Sequence, residues 1–204
     1  MIAVIDYGRG NLFSLSSSLN FLGYKFKIVD EAKDLNLNFN KIILPGVGAF
    51  ADAMIQLKKK GFIDKLQVLK EKQIPILGIC LGMQLFASKS YEFIEYNGLN
   101  FIPGEVKKLQ LNKKYEIPNM GWRKLSEVNN SEIQKIQFNK MVYFVHSFGF
   151  YPDNKEHIIS NIHIGDTKIP AIVKKDNIIG MQFHPERSGF HGLNMLKWFL
   201  ELIK

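Results

Sequence analysis

The chain has 204 residues, 46% of them hydrophobic and 23% charged, with a formal net charge of +8 and one cysteine. That composition suits a single folded domain over residues 1–204 and excludes a disordered or low-complexity chain. A lone cysteine excludes an internal disulfide and a cysteine-based zinc site, and no apolar run reaches the roughly 18 residues that span a bilayer.

The opening "IAVID" is an apolar run ended by the turn "YGRGN", the pattern of a buried parallel strand. It is too short for a secretory signal, so a cytoplasmic protein is expected. Asn11 is placed to cap a helix with Leu12, Leu15, Leu19 and Leu22 on one face, closed by Gly23. "FKIVD" and "KIILPG" read as short strands. Helices are predicted over Phe50 to Gly61 and Phe62 to Gln73, the second with Phe62, Ile63, Leu66 and Leu69 inward. Lys58, Lys59 and Lys60 close the first of these helices, where cations favour the helix dipole. The other lysines are single or paired, so nucleic acid is not an expected partner. "IPILGI" is the next strand, followed by a helix predicted over "LGMQLFASK".

This alternation predicts a mostly parallel central sheet with helices on both faces. The second half differs. "MVYFVHSFGFY", "HIISNIHI", "IPAIVKKD" and "NIIGMQFH" are strand-like, with a hairpin at Asp176-Asn177. A last amphipathic helix carries Leu193, Leu196, Phe199, Leu200 and Ile203. The fold class is α/β, with an antiparallel extension late in the chain.

The single cysteine lies in "GICLG", between Gly78 and Gly82. Glycines at that spacing permit a sharp strand-to-helix turn that presents a nucleophile at the carboxyl edge of a sheet. A helix N-terminus also stabilises a thiolate. From the pentapeptide alone, Cys80 is either this nucleophile or a small apolar filler. A nucleophilic thiol needs a base. Among five histidines, His184 stands at the end of an apolar strand, with Glu186 two residues on to hold its tautomer. The bland alternative is a solvated loop histidine beside a surface acid. "LPGVGAF" follows another strand, and its glycines can aim backbone N–H groups at an oxyanion. The same stretch matches a dinucleotide-binding pattern from Gly46 to Ala51, with Asp64 downstream, so nucleotide binding stays open on spacing alone.

Taken together, these segments resemble the class I (triad) glutamine amidotransferase family. "DYGRGNLFS", "LPGVGAF", "GICLGMQLF", "PNMGW", "YFVHSF" and "GMQFHPERSG" are closest to its imidazole glycerol phosphate synthase branch. The resemblance implies that Cys80, His184 and Glu186 form a catalytic triad hydrolysing L-glutamine. It implies an oxyanion hole from the backbone N–H of Leu81 and of the Gly46-Val47 loop, which turns under a partner's influence. It implies glutamine contacts from Gln84, Glu92, Gly48, Ser147 and Phe148, and a partner interface including Asn11, Trp122 and Tyr143. The partner implied is a separate (β/α)8-barrel cyclase that receives the ammonia, with no cofactor and no metal. Asn119 and Arg123 depart from the His and Asn usual in the branch, and an arginine there adds charge and a wide fork. That departure keeps open a paralogue feeding another synthase, such as one that amidates a surface sugar. A non-catalytic scaffold subunit is the alternative of a different class.

Overall fold

The structure, a computed structural model, describes residues 1–129, 133–134 and 140–202. The first half supplies β1 (Ile2–Ile5), α1 (Leu12–Phe21), β2 (Phe26–Val29), β3 (Lys41–Gly46), α2 (Phe50–Lys59), α3 (Phe62–Glu71), β4 (Ile76–Cys80) and the single-turn α4 (Leu81–Gln84). Short strands follow: β5 (Lys89–Ser90), β6 (Tyr96–Asn97), β7 (Gly104–Lys108) and β8 (Asn119–Lys124). Beyond them come β9 (Met141–His146), β10 (Phe148–Pro152), β11 (Ile158–Ile164), β12 (Thr167–Lys175), β13 (Ile178–Met181) and α5 (Gly189–Leu202).

The central sheet has seven strands in the order β11-β12-β13-β4-β3-β1-β2. From β13 to β2 every pairing is parallel, while β12 pairs antiparallel with both β11 and β13. Side chains alternate across the sheet, so successive residues of one strand serve opposite faces. Ala3, Ile5, Ile42, Leu44 and Ile76 join one core with Phe50, Leu57 and Leu66 of α2 and α3. Val4, Ile43, Leu77 and Ile79 join the other with Leu15 and Leu19 of α1 and Leu196 and Phe199 of α5. Both faces are therefore covered, as the uninterrupted apolar runs of these strands require. A four-stranded sheet, β10-β7-β5-β6, and the β8–β9 pair are added by the second half.

Three sequence expectations change in detail. The helix after Cys80 stops at Gln84 rather than running through "ASK". The Leu85, Phe86 and Ala87 carbonyls accept from Leu99, Phe101 and Asn100 N–H, so they cannot continue the helix. "MVYFVHSFGFY" divides at Ser147 into β9 and β10, which serve different sheets. The helices of residues 50–71 each end two residues earlier than predicted, at Lys59 and Glu71, where Gly61 and Gln73 take positive φ. The hairpin turns at Asp176-Asn177 as expected, and Asn11 caps α1 by accepting from Ser14 N–H. Ile203 lies outside the described residues. No helix among those residues is long and apolar enough to cross a membrane.

Candidate active site

Cys80 ends β4 and begins α4 with φ 55° and ψ −110°. Positive φ is uncommon for a side chain other than glycine, and this ψ lies outside the left-handed well, a strain of roughly 1–3 kcal/mol. The flanking glycines let the turn close. A Cβ on Gly78 would lie 2.5 Å from the Gly82 carbonyl oxygen, and one on Gly82 would run into the Leu44 carbonyl of β3. Close packing of three backbone segments thus drives the Cys80 side chain out at the carboxyl edge of the sheet.

Strand register decides what meets it there. Gly46 pairs with Cys80 on one side, and Met181 pairs with Ile79 on the other. The residues after β3 and after β13 therefore flank the thiol. Val47, Gly48, Leu81, Gln84, Glu92, Ser147, Phe148 and His184 line one cleft of about 310 Å³ with Cys80, of a size for a small molecule. Gly48 of the nucleotide-like match lines this cleft, whereas Asp64 lines a different one beside α2, α3 and β6.

The His184 Nδ1 lies 2.8 Å from Glu186 Oε1, both side chains only 4% exposed. Burial opposes the charged imidazole, but the Cys80 sulfur and the Glu186 carboxylate outweigh it and push the His184 pKa up to about 10. The Nε2 finds no hydrogen-bond partner among the described residues, which leaves it to exchange a proton with the Cys80 sulfur. Gln84 Nε2 donates at 2.9 Å both to the Phe148 carbonyl and to Gln182 Oε1. Glu92 Oε2 accepts from Phe50 N–H at 2.6 Å, at the start of α2.

One donor of the expected oxyanion hole is turned away. Leu81 N–H opens α4, where helix amides have no intrahelical acceptor. The Val47 N–H, however, donates to the Arg9 carbonyl at 3.3 Å. Of the expected interface residues, Trp122 and Tyr143 pack edge to face with centroids 6.0 Å apart on the β8–β9 pair. Met120 shares Trp122's exposed face. Asn11 stands apart from the cleft as the α1 cap.

Sequence reasoning overlooked Gln182 and underrated His146. Gln182 is fully buried and its Nε2 lies 3.8 Å from the Cys80 sulfur. Its signal was a polar residue inside the apolar run "NIIGMQF". His146 Nδ1 donates to the Phe148 carbonyl at 2.8 Å, and its Nε2 accepts from Asn119 Nδ2 at 2.9 Å. Arg123 Nε in turn donates to Asn119 Oδ1 at 3.0 Å, so the unusual Asn119–Arg123 pair is engaged within the hairpin. Burial holds the His146 pKa down at about 4, so the ring is neutral.

The two histidines move in opposite directions from 6.5. The raised His184 contributes stability that is full below pH 6.5 and is lost as pH rises through about 10. The depressed His146 contributes stability that is present above pH 6.5 and is lost as pH falls through about 4. Urea-unfolding free energy should therefore peak near pH 6.5, and His146→Gln should flatten the acid limb. An unchanged acid limb in that variant would refute the assignment.

A parallel-sheet edge that presents a strained cysteine to a buried His–Glu pair defines the class: an α/β protein equipped for nucleophilic thiol chemistry. The sequence profile of the glutamine amidotransferase class-I family matches residues 3–202, and the chain belongs to that family. It is 43% identical over 205 residues to the imidazole glycerol phosphate synthase subunit HisH of Caldanaerobacter subterraneus subsp. tengcongensis, covering 100% of this chain and 99% of the relative. It is 44% identical over 204 residues to the protein of the same name from Carboxydothermus hydrogenoformans, covering 100% of both. Among solved structures, PurLQS from Thermotoga maritima aligns with a TM-score of 0.77 at 19% identity, covering 100% of this chain and 98% of that one, a likeness of fold.

Proposed function

We propose that the chain is the glutaminase subunit of an imidazole glycerol phosphate synthase. It hydrolyses L-glutamine and passes the ammonia to a separate (β/α)8-barrel cyclase in histidine biosynthesis. The observation that carries this reading is the Cys80 turn facing the buried His184–Glu186 pair, in a chain related along its whole length to such subunits. That same full-length relationship favours it over the surface-sugar paralogue. The complete nucleophile, base and orienting acid weigh against a scaffold.

Glutamine enters the cleft with its side-chain amide over Cys80. His184, kept protonated by its raised pKa, holds the proton at Nε2 while the Cys80 sulfur bonds to the amide carbon. The C–N bond then breaks, and that proton leaves with the nitrogen as ammonia. Water attacks the resulting γ-glutamyl thioester, giving its proton to His184, and glutamate departs as the Cys80 sulfur is freed. Glu186 holds the imidazole tautomer and stabilises its cation. Glu186→Gln should lower kcat by roughly 10²-fold or more and bring the His184 pKa back toward 6.5, read by NMR titration. A variant at parental rate would exclude that role.

The oxyanion formed in both steps takes Leu81 N–H directly, and takes Val47 N–H once that peptide leaves the Arg9 carbonyl. Hydrolysis by the isolated chain is therefore slow, and a partner that turns the loop accelerates it. The partner meets the β8–β9 face, where Trp122 is 47% and Met120 58% exposed. Trp122→Ala should weaken the complex by roughly 30-fold in Kd by calorimetry, the effect of a central aromatic anchor. The test of the whole reading is glutamate release by the purified chain alone and with the cyclase subunit from the same source. No stimulation by that cyclase would refute it.

A further inference from the structure

Tyr7 follows β1 and is 1% exposed, packed in the core with Leu44, Phe50 and Leu81 beneath the Cys80 turn. Its hydroxyl is shut away from solvent and has no hydrogen-bond partner among the described residues. Nearly all buried polar atoms are paired, because an unpaired one forfeits its hydration for nothing. Phenylalanine would fill the same space without that penalty. The hydroxyl is therefore a donor lacking its acceptor.

An acceptor lies close by. A Cβ built on Gly46 would be 2.5 Å from the Tyr7 oxygen, so the hydroxyl rests against the Gly46 backbone. Gly46 supplies the carbonyl of the same peptide whose Val47 N–H donates to the Arg9 carbonyl. A trans peptide points its N–H and C=O in opposite directions. Turning this peptide to aim Val47 N–H at an oxyanion therefore swings the Gly46 carbonyl round as well, and on a buried residue that carbonyl needs a donor.

We propose that the Tyr7 hydroxyl is that donor, bonding the Gly46 carbonyl only when the peptide has turned and so stabilising the state in which Val47 N–H faces Cys80. The inference rests on the glutaminase reading above. Tyr7 touches neither substrate nor reacting atoms and is a positioning residue. Burial, then the nearby Cys80, raises its pKa far above the ordinary tyrosine range, so the proton needed for donation stays in place.

Tyr7→Phe removes one oxygen and tests this in the complex with the cyclase subunit from the same source, with imidazole glycerol phosphate added. The stimulated kcat for glutamine hydrolysis should fall roughly tenfold, the value of one hydrogen bond, with KM unchanged. The slow rate of the isolated chain should not change. Its melting temperature should hold or rise, because an unpaired buried hydroxyl has gone. A merely structural tyrosine would give the reverse, a lower melting temperature with no selective loss of stimulation. An unchanged stimulated kcat, or an equal fall in both rates, overturns the proposal while leaving the glutaminase reading intact. A wild-type complex that hydrolyses no glutamine would bring down both.

Discussion

Cys80→Ala is expected to abolish glutamine hydrolysis, by roughly 10⁴-fold or more, with the melting temperature close to that of the parent. The large kinetic effect follows because no other thiol exists in the chain to form the glutamyl intermediate. The small structural effect follows from the site's physics. Alanine carries the same Cβ through the same positive-φ turn, so the strain at φ 55° is neither relieved nor increased. What is lost is one sulfur atom at the rim of the cleft and its long contact with Gln182 Nε2 at 3.8 Å. Glutamate release and a thermal melt on the same preparation decide it. Residual hydrolysis at more than a few per cent would mean that Cys80 is not the nucleophile.

Gly82→Ala is expected to cost on the order of 3–5 kcal/mol in urea unfolding and to remove activity with it. Its Cβ would collide with the Leu44 carbonyl, and neither atom belongs to a flexible side chain that can swing aside. Relief requires β3 and α4 to separate, which also carries the Leu81 amide away from the sulfur. Gly8→Ala is the contrasting variant. Gly8 has φ 86° with nothing within 4 Å of a new Cβ, so only left-handed strain remains, about 1 kcal/mol. Similar losses for the two variants would show that backbone crowding is not what shapes the turn.

The alternation of strands and helices was readable because amphipathic period and apolar runs are local consequences of which side must be buried. The Cys80 turn was readable for a related reason: two glycines at that spacing answer a steric demand made within five residues. The contact between His184 and Glu186 was readable from "QFHPE", since the two meet across a single tight turn. The early stop of α4 was not, because the carbonyls of Leu85, Phe86 and Ala87 just beyond it are claimed by residues 99–102, which no local pattern connects to Phe86.

By itself the sequence determined the fold class, and it singled out the nucleophile, base and acid proposed above together with the glycines around the cysteine. Only the tertiary structure decided that β4 lies between β3 and β13, which brings residues about a hundred apart to one sulfur. It also decided the surroundings of Gln182, His146 and Tyr7, and the resting direction of the Val47 N–H. Each of these is a question of which buried polar atom finds a partner. The answer depends on what lies across the sheet or the cleft, and so on long-range packing that a residue's own neighbours in sequence do not specify.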